Sequence, residues 1–282
     1  MKRVIINADD FGLIQGVNEG IIQAHREGVL SSATLMANAP GFEHAVELAG
    51  QNPDLGVGVH LNILRGKPLS ESRYVGSLIT EGGVFCPSVF QLFRGLKSGR
   101  INLGQVEREL RTQIEKVMNA GISPSHLDSE KHSHMLGPLF SVVLKLALDY
   151  RVTKIRFSRE FCLTPRLAQM GKSLLISLSG SALKERMKAE GIKSSDHFCG
   201  ICDSGRMTAE RLQKSLSRLK DGVTEIMVHP GFISQDLIEL EKTFGSYYIN
   251  RCRELELKAL LDSRVKKILS DRGIQLINFH HL

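Results

Sequence analysis

Four short stretches of this 282-residue chain collect residue types that bind metals or move protons. Asp9 and Asp10 are adjacent carboxylates, His60 stands in Gly58-Val59-His60-Leu61, and His229 precedes Pro230-Gly231. The fourth stretch, His126-Leu127-Asp128-Ser129-Glu130-Lys131-His132-Ser133-His134, alternates with period two. Imidazole and carboxylate together suit Zn, Fe, Co, Ni or Mn. If this run were fully extended, His126, Asp128, Glu130, His132 and His134 would share one face. Asp9 and Asp10 can share a site only where a strand ends and turns, because successive strand side chains point oppositely. One could then hold a metal while the other accepts a proton from water. His229, set before a rigid turn, has the placing of a general acid. Arg156 is placed to orient a site carboxylate through a charge-assisted pair.

Such residues need elements to bring them together. Val4–Asn7 is short, apolar and β-branched, which predicts a buried strand ending in Asp9-Asp10. Further strands are expected at Ser32–Met36, Leu55–Leu61, Ser125–Ser129, Lys154–Phe157, Glu225–Val228 and Gln275–Phe279. Helical spacing falls on Val17–Arg26, Glu43–Ala49, Val106–Ala120, Leu139–Tyr150 and Arg166–Ala189. It recurs over Thr208–Leu219, with Thr208 as a cap, and over Ser246–Leu261 and Asp262–Asp271. Residues 65–88 read as a Gly-rich excursion. About seven β/α units predict an α/β fold, a parallel sheet with helices outside it, in a single domain over 1–282. No G-x-G-x-x-G turn follows the first strand, so a closed or nearly closed barrel is expected rather than an open dinucleotide-binding sheet. In parallel folds the site lies at the carboxyl ends of the strands, where the polar stretches fall.

Composition narrows the function classes. Hydrophobic residues at 42% and charged residues at 24% are ordinary for a soluble globular protein. No run of about 18 apolar residues marks a membrane span. Carboxylates come too early for a signal peptide, so a cytoplasmic location is expected. Cys86, Cys162, Cys199, Cys202 and Cys252 form an odd, sparse set that argues against a disulfide framework. Cys199 and Cys202 have C-x-x-C spacing but lack a second pair. The net charge is +7, and residues 151–220 concentrate 15 basic against 6 acidic residues. That segment's aromatics are only Phe157, Phe161 and Phe198, which weighs against a nucleic-acid partner. Residues 166–178 mix basic and apolar side chains as interfacial helices do, although an ordinary barrel helix would read the same way. Peripheral membrane contact and homo-oligomerisation stay open.

Asn7-Ala8-Asp9-Asp10-Phe11-Gly12, Gly58-Val59-His60-Leu61, His126-Leu127-Asp128-Ser129 and Val228-His229-Pro230-Gly231 together resemble the YdjC-like carbohydrate deacetylases, in order and spacing, from Arg3 to about Phe279. The resemblance implies a distorted (β/α) barrel that uses a divalent metal (Mg, Mn or Zn) to deacetylate N-acetylated amino sugars, free or lipid-linked. It implies Asp10, His60 and residue 130 as metal ligands, Asp9 as base and His229 as acid. The chain departs from the family pattern at Glu130, where a histidine is usual. Glu130 could bind as a harder ligand favouring Mn or Mg. Otherwise His132 or His134 fills the vacancy, with His126, Asp128 and Arg156 as further ligands or supports. A metal-dependent phosphoesterase on the same barrel is the alternative enzyme, with Lys131 the one basic residue near the motifs placed to hold phosphate.

Overall fold

A computed structural model describes residues 1–160, 180–244 and 252–282. Its sheet is built around β1 (Lys2–Phe11), which is buried from Val4 onward. On one side lie β2 (Ser32–Leu35), β3 (Gly56–Leu61) and β4 (Leu127–Ser129); on the other lie β6 (Gly222–Val228) and β5 (His197–Cys199). The order is β4-β3-β2-β1-β6-β5, every ladder is parallel, and β7 (Gln275–Leu276) pairs with Arg3 and Val4 at the start of β1. Helices follow the strands: α1 (Gln15–Arg26), α2 (Phe42–Gly50), α3 (Val89–Lys97), α4 (Leu103–Asn119), α5 (Gly137–Asp149), α6 (Gly180–Ala189), α7 (Ala209–Ser217), α8 (Gln235–Phe244), α9 (Cys252–Leu261) and α10 (Ser263–Asp271). No described helix is long and apolar enough to cross a membrane.

Between β4 and β5 the expected strand Lys154–Phe157 is reduced to isolated bridges, Leu127 with Ile155 and Lys154 with Lys193. The sheet is therefore a curled half-barrel rather than a closed one. β5, α3 and α8 are additions to the expected elements. Residues 166–178, whose interfacial character the sequence left open, and the first part of the helix expected at Ser246–Leu261 fall outside the described residues. Thr208 caps α7 as expected, accepting the Arg211 N–H at 3.3 Å.

Strand periodicity sorts β1 into two faces. Val4, Ile6 and Ala8 join the main apolar core, whereas Ile5 packs with Val223, Ile277 and Phe279 in a separate cluster. Ile5, Asn7 and Asp9 thus look into the half-barrel. His126 lies on that inner side too, its ring stacked on Phe279 with centroids 3.5 Å apart. The interior rises in tiers from an apolar plug at Phe279 to carboxylates at the strand ends. Gly58 makes room for this stack: a Cβ there would lie 2.5 Å from the His126 ring and 2.7 Å from its carbonyl oxygen.

Gly58→Ala is therefore expected to destabilise the protein by about 1–3 kcal/mol through overpacking. Gly50→Ala, at the end of α2 with nothing within 4 Å of an added Cβ, should be neutral or stabilise by up to about 1 kcal/mol. Thermal unfolding of the two variants checks the contrast.

Candidate active site

The site begins with a fault in β1. Asp10 has φ of +69°, and the ladder to β2 shifts register between Ala8 and Phe11. A left-handed non-glycine residue costs about 1 kcal/mol, and aspartate is among the few that tolerate it. Asn18 of α1 pins the bend by accepting the Gly12 N–H at 2.6 Å. The strand does not end at Asp9-Asp10, as the sequence suggested, but kinks there and runs on to Phe11. The kink lets consecutive carboxylates reach one place. Asp9 gathers with His60 and Asp128, and Asp10 with His60 and Glu130, each set offering ligand atoms within 4.8 Å of one another.

His60 is the hinge of both sets. The β3–β4 register sets it beside Asp128, whose Oδ1 lies 2.8 Å from His60 Nδ1. The other ring nitrogen, Nε2, lies 3.9 Å from Asp10 Oδ1 and 3.5 Å from Glu130 Oε2. Burial opposes a charged ring, but Asp128 and Glu130 outweigh it and raise the His60 pKa well above its usual value. The pocket attracts positive charge.

Arg156 occupies the tier below and is fully buried. Its Nη atoms donate to both oxygens of Asp9 at 2.9 and 2.7 Å, and its Nε donates to Glu225 at 2.6 Å. Nη1 also lies 2.6 Å from Asp128 Oδ2. Burial works against an ionised Asp128, yet Arg156 and His60 hold its pKa well below the carboxylate range. Glu225 shows the reverse balance: burial prevails over Arg156 and pushes its pKa up to about 7.

Two further arginines hold the outer carboxylates. Arg65 Nε donates to Glu130 Oε1 at 2.8 Å, and an Nη donates to the Phe244 carbonyl. Its backbone is fixed by Asn62, whose Oδ1 accepts the N–H groups of Leu64 and Arg65 at 2.9 and 3.1 Å. Arg253, in the first turn of α9, donates to Asp10 Oδ2. Each of these carboxylates gives one oxygen to a guanidinium and turns the other toward His60 Nε2.

The extended reading of residues 126–134 is corrected beyond Ser129. The chain turns into a 3-10 segment, Glu130–Met135, with Lys131 and His132 at φ of +52° and +57°. Only Asp128 and Glu130 therefore join the His60 cluster. Both His134 ring nitrogens are engaged, Nδ1 with Ser129 Oγ at 2.6 Å and Nε2 with the Arg156 carbonyl at 3.0 Å. Burial lowers its pKa to about 4. His132 Nδ1 meets Ser158 Oγ at 2.9 Å, and the ring sits edge-on to Phe198. His126 lies one tier down on the Phe279 stack, its pKa lowered by burial.

His229 closes the arrangement from β6. Ala8 pairs with Val228, so Asp9 and His229 are the next residues beyond the ladder. Its backbone N–H donates to Glu256 Oε2 at 2.5 Å. The turn after it is clamped onto α1, where a Cβ on Gly20 would lie 2.6 Å from Gly231 Cα. Cys199 and Cys202 play no part as a pair. Cys199 is a free thiol, raised in pKa by burial, whereas Cys202 is disulfide-bonded, a correction to the expectation from the odd, sparse cysteine set.

A family model of YdjC-like proteins matches residues 3–271. The chain belongs to the YdjC-like family. It is 37% identical over 281 residues to a carbohydrate deacetylase of Brevibacillus brevis, covering 99% of both chains. It is 32% identical over 283 residues to a chitooligosaccharide deacetylase of Proteus mirabilis, covering 99% of this chain and 98% of that one. A solved structure from Enterococcus faecalis V583, described as a candidate cellobiose-phosphate cleavage protein, superposes with a TM-score of 0.80 at 28% identity, covering 99% of this chain and 98% of the other.

Within this YdjC-like chain, Arg65, Arg253, Glu225 and Glu256 were not among the residues singled out from sequence. All four lie outside the motif stretches: Arg253 and Glu256 are among other charged residues of α9, Arg65 is in a loop and Glu225 in β6, and no ligand-type spacing flags them. The one available sign for Glu225 was a carboxylate inside the apolar run Gly222–Val228, which needs a buried partner.

Arg156→Met would leave three buried carboxylates without their shared cation. Unfolding in urea should show a loss of about 3–5 kcal/mol, with only part recovered by Arg156→Lys. A loss below about 1 kcal/mol would show that Arg156 does not hold this cluster together.

Proposed function

We propose that the protein is a metal-dependent hydrolase that removes the acetyl group from an N-acetylated amino sugar, giving acetate and the free amine. The carrying observation is the convergence of Asp10, His60 and Glu130 beside Asp9, with His229 on the adjoining strand. The names of the Brevibacillus and Proteus relatives, a carbohydrate deacetylase and a chitooligosaccharide deacetylase, support removal of an acetyl group from a carbohydrate.

The residues fit a divalent cation. His60 is oriented through Nδ1 by a carboxylate, the usual arrangement behind a metal-binding histidine. Its Nε2 faces two carboxylate oxygens at 3.5 and 3.9 Å. Asp10, His60 and Glu130 would hold the ion. A cation there supplies Lewis acidity to a carbonyl and makes water a stronger acid.

The remaining chemistry belongs to the side chains. Asp9, fixed through both oxygens by Arg156, takes a proton from water as the water oxygen attacks the acetamide carbon. His229 gives a proton to the sugar nitrogen as the C–N bond breaks, so the leaving group departs as an amine. Arg156 cannot follow the proton, because it stays charged at any working pH. A phosphoester substrate is less well served: Arg65, Arg156 and Arg253 are all engaged by carboxylates, and Lys131 Nζ donates to the Pro87 carbonyl.

Acetate release from N-acetylglucosamine, chitooligosaccharides and lipid-linked N-acetyl sugars, with Mn, Mg or Zn added, tests this reading. Asp9→Asn and His229→Ala should each lower turnover at least about 100-fold, and chelation should abolish it. Absence of acetate from every substrate, with metal bound, would overturn the reading. Calorimetric titration tests the ligand set: Asp10→Asn should weaken binding, and Glu130→His should shift preference from Mn or Mg toward Zn.

A further inference from the structure

Helix α9 reaches the site with two side chains one helical turn apart. Arg253 donates to Asp10, a carboxylate of the His60 cluster. Glu256, three residues on and therefore on the same face, is 1% exposed and lies behind His229. Its Oε1 accepts the Met207 N–H at 3.4 Å and its Oε2 accepts the His229 N–H at 2.5 Å. That same Oε2 is 3.9 Å from the His229 ring Nδ1. A buried carboxylate with two backbone donors is already committed to the strand end that carries His229, and its charge faces one ring nitrogen.

We propose that Glu256 is a positioning residue for His229, holding the imidazole so that Nδ1 carries a proton toward Glu256 and Nε2 is presented to the departing amine. This rests on the deacetylase reading for its catalytic consequence, but the Glu256–His229 contact stands apart from it. A contact of 3.9 Å is long for a hydrogen bond, and catalytic contacts of this kind shorten when substrate binds. Among the described residues, Arg253 on the same helix is a charged neighbour of Glu256 and also donates to Asp10. Burial raises the Glu256 pKa, and His229, the backbone donors of His229 and Met207, and Arg253 oppose it. Glu256 thus does for the acid side of the site what Arg156 does for Asp9.

The position of the proton gives the idea a signature that general loosening would not give. A general acid matters in proportion to how badly the leaving group needs a proton. Glu256→Gln keeps the shape and one backbone acceptor but removes the charge. In the metal-loaded full-length protein it should lower kcat for an N-acetylated chitooligosaccharide about 10- to 100-fold, with KM changed less than about 2-fold. Hydrolysis of 4-nitrophenyl acetate, whose leaving group departs without protonation, should fall less than about 3-fold. Equal losses on both substrates, or none on either, would overturn the proposal.

Nitrogen-15 NMR of labelled histidine in the wild type supplies the second readout, with the His229 signals assigned by their loss in His229→Gln. The proposal expects the neutral ring to carry its proton on Nδ1. Predominance of the Nε2–H tautomer would overturn the proposal, whether or not Glu256→Gln folds. Failure of the wild type to release acetate would count against the deacetylase reading alone, and the tautomer would still decide the role of Glu256.

Discussion

One buried guanidinium sets the order of this site. Arg156 sits without solvent contact among Asp9, Asp128 and Glu225. Three carboxylates in a dry interior repel one another and are costly to ionise, and a shared cation with a fixed fork of donors offsets that cost. Its effect spreads outward by contact. Asp9 is held through both oxygens, and Asp128, kept ionised, takes His60 Nδ1. His60 in turn points Nε2 at Asp10 and Glu130, which Arg253 and Arg65 hold from the far side. The two carboxylates that would bind a metal are thus constrained from both ends before any ligand arrives.

The fold delivers these groups by breaking its own rules at chosen residues. A regular strand would send Asp9 and Asp10 to opposite faces, and the left-handed Asp10 with its register shift turns both toward His60. A regular strand through 126–134 would have crowded three histidines into the site, and the left-handed pair Lys131-His132 ends it after Glu130. Below this level the half-barrel is conventional: apolar side chains face the helices, and Phe279 plugs the inner side. Three of the four left-handed non-glycine residues among those described, Asp10, Lys131 and His132, lie where the polar groups converge; the fourth, Arg151, follows α5.

Much of this could be read from the amino-acid sequence, and the divide has physical causes. Short β-branched runs such as Val4–Asn7 alternate with amphipathic stretches, and that periodicity places the strands and helices in a parallel α/β fold. Polar residues just past those runs mark the strand ends, which is how Asp9, Asp10, His60 and His229 stand out. The turn at Glu130 does not announce itself, because lysine and histidine are poor markers of left-handed backbone. His134 and His132 consequently resemble ligands in sequence but serve as braces to Ser129 and Ser158. Arg65, Arg253 and Glu256 were invisible for another reason: their meaning lies in partners 65, 243 and 27 positions away. The charge of residues 151–220 also changes character, since one of its cations, Arg156, is no surface group but the centre of the interior.

The central claim is that this network builds one cation site from Asp10, His60 and Glu130. Crystals soaked in a manganese salt, with anomalous differences recorded, test it most directly. The account predicts one strong anomalous peak in contact with His60 Nε2 and with an oxygen of each of Asp10 and Glu130, while His132 and His134 keep their serine partners. A peak centred on His132 or His134, or none near His60 at saturating metal, would contradict it.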